Sequence, residues 1–287
     1  MYAVVILLAA CSTTKEVKKS TVTGENYMLS GQYTEALNYY ENNMREAELK
    51  GKSVSGDIFR KAGEAAYKLN NKSKAQSYFE KAVDLNSLSA EMLLMQADCY
   101  KEIDNLSKEI ITLESYITNY PNGKDIKIAK LRLFETCLES QNWEQTEKLW
   151  TSFGVEAEKD KNLMDIYLKA NIAQKNDLKT AALAAKLLKL DEKNIAALEI
   201  IGENYFWKAE NRYQAETDAY DKKKTRSQYA KLLKALDVVT SDFKKSLGYF
   251  KKLYTIQPDK KYALFLGNIY ARLNDKEKST YYKNRAR

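Results

Sequence analysis

The chain has 287 residues, 44% of them apolar and 30% charged, with a net charge of +8. That composition supports a buried core and argues against wholesale disorder. With only 10 glycines and 2 prolines, it also argues against a many-turned β-sandwich or barrel and for helices joined by short loops. There is no histidine, which excludes a Ser-His-Asp triad, a Cys-His pair and any His-dependent metal or haem site.

In chain order, the first feature is the apolar run Ala3–Ala10, followed at once by Cys11 and the polar stretch Ser-Thr-Thr-Lys-Glu. The run is too short to cross a bilayer, which needs about 20 residues, and has the length of a signal-peptide core. Its end, Leu8-Ala9-Ala10-Cys11, resembles the bacterial lipobox. That resemblance implies a signal peptide over 1–10, cleaved before Cys11, with a diacylglycerol on the Cys11 sulfur and an acyl chain on the new N-terminus. Several acyl chains together anchor firmly. Ser12 after the cysteine resembles lipoproteins sent to the outer membrane, so the expected location is the cell envelope, facing the periplasm. Residues 11–23 read as the lipidated cysteine and a flexible tether.

From 24 to 287 one pattern recurs. Between Ile58 and Asn86, Phe59, Ala62-Gly63, Ala75, Phe79 and Ala82 alternate small and large residues along two helical segments. This resembles the tetratricopeptide (TPR) repeat, a 34-residue helix–turn–helix unit in which small residues let antiparallel helices approach closely. Further copies centre on Gly24/Ala36, Ala97, Phe134, Leu168, Gly202 and Gly267. Pro121 and Pro258 fall where second helices should stop. The third and fifth copies are weak, because Glu109 and Thr180 stand at the small position of the second helix. The resemblance implies an all-α TPR-type solenoid of about seven repeats in a right-handed superhelix. The same frame predicts that a bulky residue at Gly63 does more damage than one at Gly51, which reads as a polar linker.

The sixth copy is interrupted by about 207–242, where Tyr205, Ala209, Tyr213, Glu216 and Tyr220, then Tyr229, Leu232 and Leu236, recur at threes and fours. The spacing predicts one lengthened helical hairpin, protruding roughly 24 Å at 1.5 Å per residue. Its tip is basic: Lys222, Lys223, Lys224 and Arg226. The charge is uneven overall, with 27 basic and 30 acidic residues in 1–206 against 20 and 9 in 207–287. That asymmetry suits an anionic lipid headgroup, a glycan or an acidic protein at the tip; a solvated turn is the plainer reading.

In TPR proteins the first helices of the repeats line a concave groove. Carried over by position, the resemblance places Glu25, Glu64, Asp98, Glu135 and Glu203 in one row, and Tyr67, Leu138 and Phe206 in the next. Such a groove, acidic beside partly apolar, suits a peptide with basic and apolar side chains. No phosphate-binding glycine loop, CxxC, HExxH or GxSxG motif is present, so the expectation is a non-enzyme without cofactor or metal. Cys99 and Cys137 lie in apolar helical patterns and read as buried thiols, or as a disulfide if their Cα atoms approach. The leading reading is a membrane-anchored TPR scaffold for protein partners in an envelope assembly, secretion or motility complex, with no nucleic-acid partner. It is similar to the TPR lipoproteins of Bacteroidetes envelopes. The alternative is a glycan- or anionic-lipid-binding envelope lipoprotein.

Overall fold

The computed structural model describes residues 23–287. The expected signal peptide, the lipid on Cys11 and nearly all of the expected tether lie outside the described residues. Thr23, placed by the sequence at the end of the tether, instead caps the first helix: its hydroxyl accepts from the Asn26 amide. Among the described residues the secondary structure is helical, without strands. The chain divides into two compact units at Lys108/Glu109.

The first unit holds α1 (Gly24–Leu29), α2 (Tyr33–Leu49), α3 (Gly56–Lys68), α4 (Lys72–Asp84) and α5 (Ala90–Glu102), and α6 (Leu106–Asn119) begins at the division. The second unit continues with α7 (Ile126–Glu139), α8 (Trp143–Phe153), α9 (Lys161–Ala173), α10 (Asp177–Leu190), α11 (Ile195–Lys222), α12 (Arg226–Ile256), α13 (Lys260–Arg272) and α14 (Lys276–Arg285). A 3₁₀ segment, Gly154–Lys159, joins α8 to α9. The frame does not anticipate it. Gly154, at φ +68°, ends α8 in a backbone conformation that glycine adopts freely.

A close contact of fixed spacing builds the hairpins. A Cβ on Gly63 would lie 2.5 Å from the ring of Phe79, so the ring needs the bare glycine beneath it. Tyr40 sits in the same way on Gly24, and Phe250 on Gly202. Opposite each glycine lies a small residue of the second helix: Ala36, Ala75, Ser246 or Ser279, all buried. Ser279 donates its hydroxyl to the Gly267 carbonyl at 2.8 Å across a separation of 12 residues. Ser246 makes the same bond to Gly202, also at 2.8 Å, across 44. The difference, 32 residues, is the length inserted into the sixth hairpin. α11 and α12 run to 28 and 31 residues where α13 has 13, and the turn between them is Lys223–Thr225. Gly51 lies in the exposed connection from α2 to α3, where at φ +60° it closes the end of α2, its amide bonding Glu48 and the next amide bonding Ala47.

The turns between first and second helices share one device. Asn70, Asp104, Gln141, Lys175 and Asn274 take left-handed φ values between 55° and 62°. The next residue, Asn71, Asn105, Asn142, Asn176 or Asp275, turns its side-chain oxygen to the backbone amide three positions on. Each cap of this type contributes about 1 kcal/mol.

Neighbouring hairpins are joined by a recurring carboxylate bridge. Glu80 on α4 accepts from Tyr100 at 3.0 Å and from Lys108 at 2.8 Å. Glu147 on α8 accepts from Tyr167 at 2.8 Å and from Lys179 at 3.0 Å. In both bridges the lysine also lies over the tyrosine ring, at 5.2 and 4.8 Å. Glu41 on α2 is held by Tyr78, at 2.8 Å, and by Lys74, both on α4. Behind the second bridge, Trp150 stacks on Tyr167 at 4.0 Å.

Candidate functional site

On the first helices of the first unit, the residues expected to form an acidic row are compensated. Glu25 pairs with Lys61 of α3, and Lys61 also reaches Asp57 at 3.2 Å. Glu64 pairs with Arg60 at 2.7 Å, and Arg60 also pairs with Asp57. Burial lifts the Glu64 carboxyl above its ordinary range despite Arg60. Burial pulls Lys61 down, but its bonds to Glu25 and Asp57 outweigh that and hold the ammonium above its ordinary value. Tyr67 donates to Asp98 at 2.6 Å, joining α3 to α5. Within this unit Glu25 and Glu64 of the expected acidic row are thus neutralised by ion pairs. Arg60, four positions before Glu64, and Lys61, on the helix after Glu25, supply the counter-charge.

The second unit separates its expected residues. Glu135 is exposed and Leu138 half-buried, both on α7. Glu203 on α11 pairs with Lys261 on α13 at 2.9 Å, a bond that, against the pull of burial, keeps the lysine above its usual range. Phe206, carried by position to a groove, is 6% exposed. It packs edge-on to Phe243 at 5.8 Å and Phe265 at 5.0 Å, because the lengthened α12 covers it. It is a core residue as well as the floor of a cleft.

That cleft, about 530 Å³, lies between α11 and α13. Phe206, Phe265 and Ala271 form its apolar base, and Trp207 and Leu264, 51% and 50% exposed, stand at its edges. Asn268 and the Glu210–Arg272 pair add polar groups. Arg272 Nε donates to Glu210 at 3.0 Å while the guanidinium stacks on the Tyr213 ring at 4.4 Å. Of these residues, position in the repeat points to Phe206. It does not point to Trp207, Leu264 or the Glu210–Arg272 pair, which belong to the start of the inserted hairpin and to its neighbour. An apolar base with a few fixed polar groups at its rim is the usual composition of a binding surface.

The arm tip presents Lys222 at the end of α11, Lys223 and Lys224 in the turn, and Arg226 at the start of α12, all exposed. Cys99 and Cys137 are both buried free thiols. Burial pushes them up to about 11 and about 12, so both are protonated and unreactive at neutral pH. Among the described residues no cluster of His, Cys, Asp and Glu could hold a metal ion, and no helix is long and apolar enough to cross a membrane.

Residues 91–123 match the tetratricopeptide repeat. This is the copy with Glu109 at the small position, so the departure that weakens it by eye does not remove it from the pattern. No curated protein matches the sequence. Among solved structures the chain is similar to YrrB, described as a TPR protein with an unusual peptide-binding site. That alignment has 10% identity over 61% of this chain and 87% of that one, with a TM-score of 0.48. It is similar to a tetratricopeptide repeat protein from Parabacteroides merdae ATCC 43184, at 12% identity over 92% and 89% of the two chains, with a TM-score of 0.44. It is also similar to the C-terminal part of a TPR repeat-containing protein from Cytophaga hutchinsonii, at 15% identity over 91% and 98%, with a TM-score of 0.43. The architecture is that of TPR-type helical hairpins.

Proposed function

We propose that this protein is a membrane-anchored, non-catalytic scaffold that gathers protein partners in a bacterial cell-envelope complex. The observation that carries the reading is the α11/α13 cleft, whose edges expose Trp207 and Leu264 over a preformed apolar base. An exposed tryptophan beside a preformed apolar base is a typical anchor once a bound segment covers it. The partner segment is one that buries apolar side chains against Phe206 and Phe265 and orders its backbone along Asn268 and the Glu210–Arg272 pair. The anchor is the lipid on Cys11 implied by the lipobox resemblance, and it would hold the scaffold at the outer membrane, facing the periplasm. No cofactor other than that covalent lipid enters the reading.

The test is cross-linked affinity purification of the full-length protein from its own envelope. Trp207→Ala/Leu264→Ser and Cys11→Ser are run beside the wild type. One reproducible protein set is expected, reduced at least tenfold by the cleft variant with the melting temperature kept, and the Cys11 variant should leave the membrane fraction. Undiminished capture by the cleft variant would remove the cleft from the reading. Membrane retention of Cys11→Ser would remove the anchor.

A further inference from the structure

We propose that the tip of the α11/α12 arm is a contact site for anionic phospholipid headgroups. Three independent features meet there. The first is charge: Lys222, Lys223, Lys224, Arg226, Lys231 and Lys234 are all exposed, and no acidic residue lies between the first and the last of them. The second is the lack of compensation. Elsewhere Lys61, Lys74, Lys108, Lys179, Lys261 and Arg272 are each matched to a carboxylate on another helix. At the tip, among the described residues, only Lys224 has an ion pair, a loose one with Asp221 at 3.6 Å between side chains 65% and 60% exposed. The third is apolar surface. Tyr229 and Leu233, one helical turn apart on α12, are 48% and 47% exposed. The Tyr229 ring packs on Tyr220 at 5.6 Å, which holds it in place beside the cations.

The geometry suits a lipid surface better than a peptide. The tip is the convex end of a two-helix arm whose helices outrun α13 by roughly 15 residues, about 22 Å of helix. A bilayer asks for no matching concavity. Lysine and arginine heads stay at headgroup level on flexible stems while Tyr229 and Leu233 reach the interface below. Each cation near an anionic leaflet strengthens binding about fivefold, and the effect is screened by salt. The inference does not depend on the anchor at Cys11, since the assay uses a chain that cannot be acylated there.

The full chain carrying Cys11→Ser is sedimented with vesicles of equal parts phosphatidylglycerol and phosphatidylcholine, and with phosphatidylcholine alone. Binding is expected only to the first. Lys222→Ala/Lys223→Ala/Lys224→Ala should weaken it about 100-fold. Tyr229→Ser/Leu233→Ser should weaken it about tenfold with the salt dependence kept. Both variants should melt like the parent, because none of these side chains is buried. Equal sedimentation with both vesicle types would overturn the proposal, and so would full binding by the lysine variant. If Tyr229→Ser/Leu233→Ser binds fully and soluble polyglutamate displaces the vesicles, the ligand is an acidic polymer and the lipid assignment falls.

Discussion

Glu109 carries the largest side chain at the one place in the hairpin built for a small one. It is 1% exposed, and its Oε1 accepts from Arg132 Nε of α7 at 2.6 Å. A buried carboxylate is tolerated only with such a partner, and removing one member typically costs about 3–5 kcal/mol. Arg132→Leu is therefore expected to destabilise by about 3 kcal/mol in urea titrations. Glu109→Ala added to it should recover most of the loss, because no uncompensated charge then remains. Recovery of less than half would mean that Arg132 acts through packing. The hydroxyls at equivalent positions give the opposite pair of signs. Ser246 is satisfied by the Gly202 carbonyl, whereas the buried Thr180 Oγ1 has no partner. Ser246→Ala should cost about 1 kcal/mol, and Thr180→Ala should gain about 1 kcal/mol, since it removes an unsatisfied group and improves helix propensity. Thermal melts showing the same sign for both would contradict the assignment.

At the scale of the elements, caps and carboxylate bridges do most of the specifying. Hydrogen bonds from Lys108 and Tyr100 outweigh burial and hold Glu80 below the ordinary carboxylate range. At Glu41 burial acts upward, but Lys74 and Tyr78 overcome it and the carboxyl is also lowered. A carboxyl lowered in the folded state contributes stability above its unfolded value, near 4.5, and loses it as pH falls through the lower folded value. The melting temperature should therefore drop as pH is taken below about 4.5, and Glu41→Gln/Glu80→Gln should flatten that drop while lowering stability at neutral pH. A parallel acid limb in the variant would show that the bridges do not set it. The helix pairs were legible in the sequence because Gly63, Ala75 and Phe79 sit at spacings that only close packing explains. The turns were legible in outline, yet the left-handed residue at their centre is Asn, Asp, Gln or Lys, so a search for glycine and proline passes over it. The asparagine that follows is the better signal. The bridges stayed hidden because a glutamate in one repeat and a tyrosine and a lysine in the next have no local pattern. The groove rule placed Phe206 beside the cleft, but its burial against Phe243 was not legible, because the rule counts positions along one helix and takes no account of a neighbour twice the usual length.

For the whole molecule, the lengthened hairpin interrupts a frame that resumes unchanged. The Ser246–Gly202 bond restores on the far side of the insertion what Ser279–Gly267 makes without one. Ala209 and Glu210 occupy the places of a left-handed residue and its cap. Deleting residues 211–242, with Ala209→Asn and Glu210→Asn, should leave a helical chain that melts cooperatively and no longer sediments with phosphatidylglycerol vesicles. Aggregation, or loss of cooperative melting in calorimetry, would show that the arm is needed for the core beneath it. The two described cysteines add a practical property. With Cys99 and Cys137 sealed from solvent and protonated, the folded chain carrying Cys11→Ser offers maleimide no willing thiol. A cysteine introduced at Lys223 becomes a unique handle for a fluorophore, and the position of the arm tip can be followed optically on vesicles of defined composition.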